Sequence, residues 1–75
     1  MNATVEKKVT LRDQSKARTR EKVLEAARCL FGEHGYQGAT IRDIAARSTM
    51  STGAVFANFN DKADLFLTIL TEDFE

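Results

Sequence analysis

The stretch STMSTGAVFANFNDK, residues 48–62, gathers side chains that can recognise another molecule without transforming it. Thr52 offers a hydroxyl able to bond a base or a phosphate. Asn58 offers a carboxamide that pairs bidentately with an adenine edge, and Phe56 an apolar ring suited to a thymine methyl or a deoxyribose edge. Gly53 and Ala54 form a nose slim enough for close backbone approach, although glycine inside a helix costs up to about 1 kcal/mol relative to alanine. Spacing decides which of these can face outward. Val55 and Phe59, four apart, share one helix face, and Phe56 lies about 100° from Val55. If Val55 belongs to a core, Phe56 stands at the surface. The same residues also read as a capped linker, with Phe56 packed beneath the N-terminal segment and Asn58 as a polar helix end.

Reactive chemistry has little to build on. The single histidine, His34, stands beside Gly35 at a helix end, where its natural role is to face the negative end of the helix dipole. Cys29 is the only thiol and falls away from the apolar face of its helix, so it indicates neither a zinc site nor a Cys/His pair. No glycine-rich phosphate loop or metal-spaced carboxylate cluster is present. The expectation is a protein that is not an enzyme, with no metal and no cofactor.

The elements that must carry residues 48–62 are helical throughout. The chain has no proline and no internal repeat, and strand-like alternation never persists. From about Thr19, Val23, Ala26, Ala27, Leu30 and Phe31 recur at helical spacing, with Glu21, Glu25 and Arg28 opposite. Thr10 and Asp13 have capping-box spacing and would start this helix earlier, within the basic segment; Gly35 is placed to end it. A second helix opens at Thr40, with Asp43 three residues on and Ile41, Ile44 and Ala45 on its inner face, Arg42, Asp43 and Arg47 on its outer one. Such a cap contributes about 1 kcal/mol. The apolar rhythm breaks around Ser48, and Ser51 caps a third helix of about two turns. Asp61 and Asp64 open a fourth, in which Leu65, Phe66, Leu67, Ile69, Leu70 and Phe74 are apolar nearly all round, more than a three-helix core can cover. The run TEDFE sets three acids at the negative end of that helix with no closing glycine, so the helix is expected to continue into a longer protein.

Composition agrees with one small domain: 75 residues, 43% hydrophobic and 29% charged. There is no apolar run of membrane-spanning length, no secretory leader, and one unpaired thiol, so a cytoplasmic setting without membrane association is expected. The net charge of zero hides segregation. The first 22 residues carry seven Lys or Arg against three Asp or Glu, and the remainder four against eight. A basic front suits contact with an anionic polymer and is equally what a solvated tail looks like.

Two short helices joined by a tight connection, behind a longer one, have the spacing of a helix-turn-helix, in which the second helix enters the DNA major groove and the first braces it. At this point TREKVLEAARCLFGEHGYQGATIRDIAARSTMSTGAVFANFNDKADLFLTIL resembles the N-terminal DNA-binding domain of the TetR family of bacterial transcriptional regulators. The resemblance rests on Ala26-Ala27 followed by Leu30-Phe31, on Gly35-Tyr36, and on the helix start from Thr40 to Ala45. The capped glycine turn, the aromatic pair Phe56 and Phe59, and Lys62 at the fourth helix complete it.

The resemblance implies an all-α fold: a three-helix, homeodomain-like helix-turn-helix domain plus the start of a fourth helix leading to an absent C-terminal domain. Residues 1–18 form a basic arm, 19–60 the DNA-binding domain, and 61–75 the start of the connecting helix. By position, Thr40 and Arg42 resemble DNA contacts of the second helix. Ser51, Thr52, Gly53 and Ala54 match the front of the reading helix, and Lys62 a phosphate contact. Two positions depart from the pattern: Phe56 replaces the usual tyrosine, whose hydroxyl bonds a phosphate, and Asn58 stands where histidine is frequent. The implied function is sequence-specific binding of a double-stranded operator by a repressor. It would act as a homodimer through the absent C-terminal domain, which would also bind a small-molecule inducer. A helical protein–protein interaction module is the alternative, supported by the surplus apolar face of the last helix.

Overall fold

The computed structural model describes residues 11–73, with side chains from residue 15 onward. Four helices follow in order: α1 (Leu11–Gly38), α2 (Ile41–Arg47), α3 (Thr52–Asn58) and α4 (Lys62–Asp73). Helix α1 is central and touches the other three, and α2 packs on α3. No strand occurs among the described residues. None of the helices described is long and apolar enough to cross a membrane.

Helix α1 runs back through the second half of the basic segment; of the expected capping pair, Thr10 and the Asp13 side chain lie outside what is described, as does Phe74. The helix breaks where glycine was expected to end it. Gly35 has φ 77° and ψ 170°, a region essentially restricted to glycine. The extended ψ differs from the left-handed helical cap anticipated, and it redirects the chain into one more turn before α2.

The core is made by Val23, Leu24, Ala26, Ala27 and Leu30 of α1, Ala39, Ile44 and Ala45 around α2, Val55 and Phe59 around α3, and Leu65 and Ile69 of α4. Leu24 is the addition to the apolar stripe read from the sequence. It is fully buried because α1 is covered by α2 and α3 and by α4 as well, so its buried arc is wider than the stripe that faces a single partner.

Each short helix starts on a local bond. Thr40 Oγ1 accepts from the Asp43 N–H at 3.0 Å, Ser51 Oγ from Ala54 N–H at 3.1 Å, and Asp61 Oδ1 from Asp64 N–H at 2.8 Å. Asp64 Oδ2 in turn accepts from the Asn60 N–H at 2.9 Å. The connection from α2 to α3 is a Schellman closure: Met50 N–H donates to Ala45 O and Thr49 N–H to Ala46 O. Its left-handed residue is Thr49, at φ 60°, where glycine is the usual occupant. Ser48 is buried there with its hydroxyl donating to the Ile44 and Ala45 carbonyls.

Helix α4 buries Leu65 and Ile69 against α1, half-buries Phe66, and leaves Leu67 60% and Leu70 37% exposed. Two of its terminal acids have partners that the sequence did not reveal. Glu72 pairs with Arg20 at 2.8 Å and Asp73 with Arg28 at 3.2 Å, so both carboxylates face cations of α1 across the interface.

Candidate nucleic-acid interface

Helix α3 is short enough that two inward residues fix its rotation. Val55 is 0% and Phe59 4% exposed, whereas Phe56 is 51% exposed. Arg20 of α1 lies 5.8 Å from the Phe59 ring centroid and helps hold the C-terminal end of the helix down. The outward side therefore presents Thr52, Gly53 and Phe56, with Ala54 and Asn58 half-exposed at its margins.

The polar groups of this side differ in how far they are already used. Thr52 is exposed and its hydroxyl makes no hydrogen bond among the described residues. Thr40 and Ser51 use their hydroxyl oxygens as acceptors in the caps, which leaves each O–H able to donate to an outside acceptor such as a phosphate oxygen. Asn58 Nδ2 donates to Ala54 O at 3.1 Å, so one amide N–H is spent within the helix, and a second N–H and Oδ1 remain. Gly53 stands in open surroundings: a Cβ built there would meet only Ser51 Oγ, at an ordinary 3.7 Å. Packing within this chain does not require glycine at that position.

Charge on the two-helix unit is concentrated in α2, since α3 contains no ionisable residue. Arg42 and Arg47 are both exposed but are not equivalent. Arg47 grips Glu33 of α1 through two bonds, at 3.1 and 3.4 Å. The hydrogen bond and charge of Arg47 hold the Glu33 carboxyl below its ordinary value, and Glu33 in turn raises the guanidinium. Arg42 has no ion-pair partner among the described residues and extends from the first turn of α2, beside Thr40.

Lys62 is placed differently from the other candidates. Its ammonium donates to Tyr36 O at 2.8 Å and Ala39 O at 2.9 Å, and stands 4.4 Å from the Tyr36 ring centroid. The fold thus brings Lys62 next to the residue preceding the Thr40 cap, with two of its three N–H groups engaged inside the protein. Sequence reasoning missed these acceptors, as it missed the Arg47–Glu33 pair, because neither leaves a local pattern. Cys29 is exposed, and no group of three or more His, Cys, Asp or Glu side chains is placed to hold a metal ion among the described residues.

The family model for bacterial regulatory proteins, tetR family, matches residues 23–69. The chain is 47% identical over 55 residues to the HTH-type transcriptional repressor AcnR of Corynebacterium glutamicum, a match covering 73% of this chain and 29% of that repressor. It is 42% identical over 59 residues to the HTH-type transcriptional repressor Rv1474c of Mycobacterium tuberculosis, covering 79% of this chain and 32% of the other. Among solved structures, the HlyIIR mutant protein with residues 170–185 substituted by alanine superposes with a TM-score of 0.74 at 32% identity. That match covers 76% of this chain and 32% of the other. The matched region spans about a third or less of the length of each of these proteins.

Proposed function

Because this chain belongs to the tetR family of bacterial regulatory proteins, we propose that its α2–α3 unit binds duplex DNA sequence-specifically, as the reading part of a transcriptional repressor. The observation that carries this is the rotation of α3: Val55 and Phe59 are sunk in the core while Phe56 and the exposed Thr52 and Gly53 face away from it. A capped two-turn helix anchored by one face and braced by a second helix fits the major groove. The two relatives described above are named as repressors, which supports the same reading.

Roles follow from the chemistry of each group. Thr52 and Asn58 hydrogen-bond base edges, Phe56 lies against a thymine methyl or sugar edge, and Gly53 with Ala54 lets the backbone close on the groove wall. Arg42, Thr40 and Ser51 bond phosphates, which positions the reading helix, and the charge of Arg42 makes its own contact salt-dependent. Lys62 stands at the edge of the same unit. The intact regulator acts in the cytoplasm as a homodimer, through a C-terminal domain that releases the operator when it binds a small-molecule inducer.

The test is selection of bound sites from random duplexes with the full-length chain, followed by titration at two salt concentrations. Log affinity should fall with log salt by about 0.9 per phosphate contacted. Salt-independent binding, or no binding at all, would reject the reading. Arg42→Ala should weaken binding to every sequence, whereas Thr52→Ala should mainly relax base preference. The exposed Leu67 and Leu70 favour a second reading, a helical module that docks another protein. Gel filtration separates the two, because such a complex would be indifferent to added duplex.

A further inference from the structure

We infer that Lys62 is a positioning residue whose ammonium sets the N-terminus of α2, and with it the Thr40–Arg42 edge, rather than chiefly neutralising a phosphate. The inference rests on the proposed DNA-binding role for its consequence, but not for its geometry.

Three elements meet at one cation. Lys62 is the first residue of α4, Tyr36 lies in the turn of α1 beyond the Gly35 break, and Ala39 is the residue before the cap of α2. Helix ends leave carbonyls without intrahelical partners, and the Tyr36 oxygen obtains one from Lys62 at 2.8 Å. The Ala39 oxygen, at 2.9 Å, matters more. The carbonyl of residue 39 and the N–H of residue 40 belong to one rigid peptide plane. Holding the first therefore orients the second, and Thr40 then presents Oγ1 to the Asp43 N–H that starts α2. Ala39 is itself fully buried, so the plane is held on its Cα side by packing and on its oxygen side by the ammonium.

The Tyr36 ring makes the site selective for a compact cation. It sits 4.4 Å from the Lys62 nitrogen and is braced by Phe31 and Phe66, at centroid distances of 5.6 and 5.1 Å. An ammonium can direct donors to two carbonyls while lying over a ring, whereas the flat fork of a guanidinium presents its donors in one plane. The opposite holds at a phosphate, where a guanidinium is the better partner. Arginine at position 62 thus separates the two roles.

In the full-length chain, Lys62→Met and Lys62→Arg should each accelerate amide exchange at residues 39–44 about tenfold without DNA present, the equivalent of one charge-assisted hydrogen bond. Arg42→Ala should leave that exchange unchanged. Both Lys62 variants should lose about tenfold in operator affinity with the salt slope preserved. Added to Arg42→Ala, Lys62→Met should cost less than about threefold more, because the group it positions is already gone; independent losses would multiply. Unaltered exchange at residues 39–44 in Lys62→Met overturns the inference. So does wild-type affinity in Lys62→Arg together with a slope reduced by about 0.9 in Lys62→Met, the signature of a phosphate contact. Should Lys62→Met fail to fold, Lys62→Arg supplies both measurements. The exchange experiment contains no DNA, so it decides the positioning role of Lys62 even if the proposed function fails.

Discussion

The junction of α4 with α1 and the outward side of α3 use polar groups in opposite ways. At the junction, Lys62 spends its donors on two backbone carbonyls, Glu72 and Asp73 meet Arg20 and Arg28, and Tyr36 closes an aromatic trio with Phe31 and Phe66. On α3, Thr52 has no internal partner among the described residues, Gly53 has only Ser51 Oγ near the position of a Cβ, and Phe56 is half-exposed. The first region uses its chemistry to hold helices together. The second holds its shape with two apolar anchors and a cap, which leaves its remaining groups available to something outside. A charged side chain near a candidate site is therefore not a ligand contact by virtue of its charge; what matters is whether the fold has already engaged it. Arg42 and Arg47 make the same point within one helix.

That contrast can be broken by substitution, most severely in the core. Leu24→Ala should destabilise the protein by about 2–5 kcal/mol through lost burial and the cavity left behind. Phe56→Ala should change stability by no more than about 0.5 kcal/mol while weakening operator binding. Chemical denaturation and a binding titration on both variants measure this, and a large stability loss at Phe56 would mean the ring is part of the core.

Gly53→Ala sharpens the same comparison. The added methyl meets nothing closer than 3.7 Å within the chain. Stability should stay level or rise by up to about 1 kcal/mol from improved helix propensity, while operator affinity falls about tenfold if the backbone approaches DNA closely there. Retained affinity would remove Gly53 from the contact surface.

Thr49→Gly concerns the turn between the two helices. A β-branched residue at φ 60° is strained. Relieving it should stabilise the protein by about 1 kcal/mol, read as a raised Tm, with base preference unchanged. A lower Tm would show that the added freedom of glycine in the unfolded chain outweighs the relief of backbone strain.

The smallest effect concerns Glu33 and Arg47. Because Arg47 lowers the Glu33 carboxyl below its ordinary value, the pair stabilises the fold above the unfolded carboxyl's range and loses that contribution as pH falls through the lower folded value. Glu33→Gln should flatten this small acid-side loss in a pH series of unfolding midpoints. High salt should shrink the difference from wild type, as for any exposed pair.

Helix starts were legible in the sequence because each is closed by a bond spanning three residues: Thr40 to Asp43, Ser51 to Ala54, Asp61 to Asp64. The facing of α3 was legible for a related reason, since Val55 and Phe59 lie one turn apart and the helix period fixes Phe56 relative to them. Such relations close within a turn or two and need no knowledge of the rest of the chain. The tertiary structure alone decided that Leu24 is buried, that Lys62 reaches carbonyls 23 and 26 residues earlier, that Arg47 meets Glu33 14 residues away, and that Arg20 meets Glu72 across 52. Those partners depend on how helices cross and how wide an arc of each is covered. A long side chain can reach any of several neighbours, and helical periodicity carries no trace of which one packing brings within reach.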